Sequence, residues 1–107
     1  MLRTLAGQII NKEIYIQGKG EHAFDFVGGV ICISTPSLQS ASAIIAYPMY
    51  DNANAKVLNI GGEVFIEGND ATANKFAAWR ENDKCYLRNN FNNGITFYYT
   101  EIAVKRK

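Results

Sequence analysis

Two β-rich runs, residues 84–91 and 95–104, flank the tripeptide Asn92-Asn93-Gly94, and this pattern constrains the chain more than any other. Asn-Gly between β-branched and aromatic residues is a strong hairpin signal, because tight hairpin turns need the positive φ that these residues tolerate. With a three-residue loop and Gly94 at a bulge, Phe91 stands opposite Ile95 and Leu87 opposite Tyr99. Leu87, Ile95, Phe97 and Tyr99 then share one face, and Tyr86, Tyr98 and Thr100 the other.

Upstream, similar punctuation recurs. Gly61-Gly62 between residues 56–60 and 63–68 predicts a second hairpin, and residues 13–17 and 23–27 read as short strands. Val30-Ile31-Cys32-Ile33 is a continuous apolar run of the kind found in a strand buried on both faces. Three segments favour helix. Residues 70–82 place Ala73, Phe76, Ala77 and Arg80 on one side with Trp79 flanking, behind Asn69 or Asp70 as cap and before Asn82-Asp83 as terminator. Thr35-Pro36 can open a helix carrying Leu38, Ala41 and Ile45, although residues 43–49 fit a strand as well. At the start, Leu2, Leu5, Ala6, Ile9 and Ile10 follow helical spacing, with a hairpin arm at residues 8–10 as the alternative. The expected class is therefore α+β. It comprises a mostly antiparallel sheet of five to seven strands, with one or two helices packed on one face, in a single domain spanning residues 1–107.

Composition narrows the function. A chain of 107 residues that is 48% hydrophobic and 12% aromatic can build a core without staples, which excludes disorder. A formal charge of +1 provides no global field for a nucleic acid or an anionic membrane. No run approaches the length of a membrane span, and residues 1–7 lack the apolar stretch of a secretory signal, so a cytoplasmic location is expected. Cys32 and Cys85 fit reduced thiols, and with His22 as the lone histidine they make a zinc site improbable.

Catalytic material is scarce. Cys32 lies in the apolar run, where burial would raise its pKa, whereas Cys85 opens a strand beside Lys84 and is the better nucleophile of the two. Gly18-Lys19-Gly20 and Gly28-Gly29 match neither phosphate-binding motif and read as turn glycines. The sequence points away from an enzyme and calls for no metal or cofactor.

Aromatic rings beside cations form the most distinctive constellation. Trp79, Tyr86, Arg88, Tyr98 and Tyr99 are the residue types that anchor protein interfaces. The expectation is a small non-enzymatic protein-binding module that uses the aromatic face of its C-terminal hairpin and can act as a homodimer. Two alternatives stand beside it. One is a small-molecule pocket between sheet and helix, lined by Phe, Tyr and Trp79. The other is single-stranded nucleic-acid binding through Tyr86, Tyr98, Arg88 and Lys84.

Overall fold

A computed structural model describes residues 11–36, 41–49 and 53–105. It contains ten strands and, among the described residues, no helix. They are β1 (Asn11–Ile16), β2 (Glu21–Ala23), β3 (Phe26–Thr35), β4 (Ala41–Tyr47) and β5 (Ala53–Asn54), then β6 (Lys56–Gly61), β7 (Phe65–Glu67), β8 (Phe76–Glu81), β9 (Lys84–Asn89) and β10 (Ile95–Lys105). The larger sheet has the order β1-β10-β3-β4-β6, with every neighbouring pair antiparallel. The smaller has the order β2-β9-β8-β5, and β7 pairs with β8 in parallel.

The two sheets pack face to face. Ile31, Ile33, Ile45, Ile95 and Phe97 of the larger sheet share one core with Phe65, Phe76, Cys85 and Leu87 of the smaller. Aromatic edges lock across the gap: Phe97 meets Phe76 at 4.8 Å and 78°, and Tyr99 meets Phe24 at 5.2 Å and 76°. Such edge-to-face pairs add to the burial of the rings themselves. Polar ties also cross. Tyr47 Oη donates to the Tyr86 carbonyl at 3.0 Å, and buried Arg80 donates from Nε to the Val27 carbonyl at 2.7 Å.

The α+β expectation is thus overturned in favour of an all-β sandwich. Residues 76–81 of the expected helix are β8, and residues 41–47 of the second are β4. Thr35, the expected opening of that second helix, is instead the last residue of β3, while residues 37–40, Leu38 included, and residues 2–10 lie outside the described residues. In place of capping a helix, Asp70 folds onto its own neighbourhood, accepting from the Thr72 amide at 2.8 Å. Asn82 and Asp83, read as a helix end, have φ of 53° and 62° and turn β8 into β9. Two consecutive left-handed residues make this the true primed-type hairpin turn.

The expected C-terminal hairpin does not form. β9 and β10 belong to different sheets, and the chain crosses between them through residues 90–94. Asn92, Asn93 and Gly94 are absent from the residues with positive φ, so the backbone never makes the turn that their types allow. Asn89 and Asn90, both buried, satisfy the crossover instead. Asn89 Nδ2 donates to the carbonyls of Ile16 at 3.0 Å and Asn93 at 2.9 Å, while its Oδ1 accepts from the Phe91 amide at 2.9 Å. The Gly61-Gly62 segment crosses in the same manner. There, Asn59 replaces a ladder between β6 and β7, donating to the Phe65 carbonyl at 3.0 Å and accepting from the Phe65 amide at 3.2 Å.

Candidate interaction face

The five aromatic and basic residues singled out from the sequence are dispersed over three places. Trp79, Tyr86 and Arg88 lie together on the outer side of the smaller sheet. Tyr86 stacks on Trp79 at 4.9 Å and 13°, and the Arg88 guanidinium sits 4.8 Å over the same indole. Register explains this: Trp79 and Tyr86 are cross-strand partners, and Arg88 is one outward position along β9. The group is already satisfied. Trp79 is only 4% exposed and its Nε1 donates to Glu81 at 3.1 Å, while Arg88 pairs with Glu21 at 2.9 Å. Tyr99 points inward and is 6% exposed, and burial pushes its phenol up to about 12. Tyr98, its neighbour, points outward from the larger sheet and is 45% exposed. A strand alternates its side chains, so adjacent tyrosines cannot serve one surface.

The thiols are likewise reversed from expectation. Cys85 is fully buried in the core and Cys32 is exposed. His22, packed edge-on against Phe24 at 4.8 Å, is held below its usual pKa by burial, with Asp25 opposing that shift.

A different surface emerges on the outer side of the larger sheet. Its rows follow from the pairing register. Thr100 stands beside Cys32, Cys32 beside Ile44 and Ile44 beside Leu58. One row along, Ile102 neighbours Val30, which neighbours Ala46 and then Lys56. On the other side lie Glu13, Tyr98, Ser34 and Ser42. Every large hydrophobic side chain exposed among the described residues projects from this one face, with Ile102 80%, Ile60 63% and Leu58 59% exposed. Two shallow hollows meet around Cys32 and Ser34. One, of about 210 Å³, runs to Ile44 and Ile60, and the other, of about 390 Å³, runs to Tyr98, Thr100 and Asn11. The paired strands carry one outward acid, Glu13 on β1, and one outward base, Lys56 on β6, at opposite edges of the sheet.

Sequence reasoning missed Val30, Ile44, Leu58, Ile60, Ile102 and Val104 as surface residues. The signal was present in the unbroken apolar run of β3, but a run of that kind reads as buried on both sides. The described chain covers only one side. Isolated exposed hydrophobics are ordinary, whereas a contiguous patch of this kind is uncommon on the surface of a chain that acts alone. No family model matches the chain, and neither a curated protein nor a solved structure is significantly similar to it.

Proposed function

We propose that the chain is a non-enzymatic protein-binding module whose working surface is the outer face of the five-stranded sheet. The observation that carries this reading is that, among the described residues, the exposed large hydrophobics are all on that one face. Apolar rows with a thin rim of opposite charges are the composition of a protein interface core. Tyr98 keeps its expected role as an anchor on this face. Trp79, Tyr86 and Arg88, closed over one another on the opposite sheet, are given a stabilising role instead. The alternative pocket between sheet and helix has no helix among the described residues to form it.

No helix of the described residues is long and apolar enough to cross a membrane. Two free cysteines, one of them exposed, support a reducing compartment such as the cytoplasm.

Photo-crosslinking in the native host tests the surface. A benzophenone side chain at Leu58 or Ile102 is expected to give discrete protein adducts, and the same probe at Glu67 or Lys84 none. Equal labelling from both sides of the sandwich would refute the assignment.

A further inference from the structure

Resting on that reading, we infer that the occupant of the apolar face is a second copy of this chain, stacked sheet on sheet about a twofold axis that runs parallel to the strands. Three observations converge on this arrangement.

The first is area. Five strands spaced by about 4.8 Å, and about seven residues of β10 at about 3.4 Å each, give a face roughly 24 Å square. Covering it with its equal buries about 1,100 Å² in total, which clears the threshold of about 1,000 Å² for a specific interface.

The second is charge. A twofold axis lying along the strands inverts the strand order, so β1 of one copy lies over β6 of the other. Glu13 stands in the row of Tyr98 and Lys56 in the row of Val30, so under this operator each lies over uncharged positions and neither is set on its like charge in the second copy.

The third is relief. Under the same operator, the hollow beside Tyr98 and Thr100 on β10 faces β4 and β6 of the second copy. Those strands carry Ile44, Leu58 and Ile60, the projecting side chains that such a hollow would receive. A self-complementary patch of this kind is what an isologous interface requires.

This geometry places β3, the middle strand, over its own symmetry mate, with Cys32 near the axis. Packed sheets lie about 10 Å apart, farther than the Cα separation a disulfide accepts. A short bismaleimide spanning that gap can join the two thiols, and buried Cys85 serves as an internal control.

The experiment combines light scattering with crosslinking on the full chain. The expected mass is twice 11.9 kDa at tens of micromolar, with a bismaleimide-linked dimer that Cys32→Ser abolishes. Leu58→Glu and Ile102→Glu, both at exposed positions, should raise the dimer dissociation constant at least tenfold while leaving the circular dichroism unchanged. A monomer that labels rapidly at Cys32 overturns the inference and gives the face to a different protein, leaving the binding module itself standing. A monomer in which Cys32 resists labelling assigns the cover to another segment of the same chain, and overturns both.

Discussion

Asn89 shows how much one buried amide can hold. Its Nδ2 donates to the carbonyls of Ile16, Gln17 and Asn93, and its Oδ1 accepts from the Phe91 amide. Few side chains could do this, because the site presents several acceptors and one donor to a single residue. Removing it leaves buried backbone groups without partners, which costs more than the net worth of the bonds. Asn89→Ala is expected to destabilise the fold by about 3 kcal/mol, read as a lower urea midpoint at an unchanged slope. Nothing in the sequence distinguishes Asn89 from Asn92 or Asn93, since asparagine is also the ordinary residue of exposed turns. Gly29 is similar. It reads as a turn glycine, yet it lies within β3 opposite Ala103 at φ 137°, where an added Cβ would come within 2.6 Å of the Ile102 carbonyl oxygen.

At the level of elements, some strands were legible, β4 and β8 were read as helices, and strand pairing was not legible. β1, β3 and β10 lie where β-branched and aromatic residues gather, and side-chain alternation places Phe97 and Tyr99 on one face of β10, which in the fold is the inner one and withdraws Tyr99 from the expected interface. Two expected hairpins are crossovers between the sheets instead. A turn signal states which backbone dihedrals a residue tolerates; Gly62 adopts the left-handed one at φ 69° and Gly94 does not, and in both places tertiary partners decide which strands are joined. Asn92-Asn93-Gly94 had better use as a crossover, because β10 gains two long ladders by leaving β9. Ala77 and Ala78 favour helix intrinsically, but their strand is buried at every position from Phe76 to Arg80, and burial outweighs a propensity of tenths of a kcal/mol per residue. The same substitution separates the actual turn from the expected one. Asn82→Ile forces a β-branched side chain into left-handed backbone and should cost about 1–2 kcal/mol in thermal unfolding. Asn92→Ile, at an exposed position without positive φ, should stay within about 0.5 kcal/mol.

For the whole molecule, the topology is dominated by pairings between residues distant in sequence. β10 lies between β1 and β3, joining residues 11–16 and 26–34 to residues 95–105. Loop closure over such spans must precede the contacts that reward it, so sandwiches of this type fold slowly. Refolding by stopped-flow tryptophan fluorescence should therefore fall in the millisecond-to-second range, and microsecond refolding would contradict the topology. The exposed apolar face, unlike the separate rings, is also a property of this scale. It exists because five neighbouring strands, β1 with Tyr15 included, each turn apolar side chains the same way, and pattern-reading one strand at a time cannot see it.

The placement of β10 has a consequence for synthesis. A ribosome delivers residues in order, so β1 and β3 emerge with open edges well before the strand that seals them. Until then, each bears a row of unpaired amides and carbonyls beside oily side chains, the template on which nascent chains stick together. In that interval association between nascent chains competes with folding, and the competition ends when residues 95–105 pair with β1 and β3.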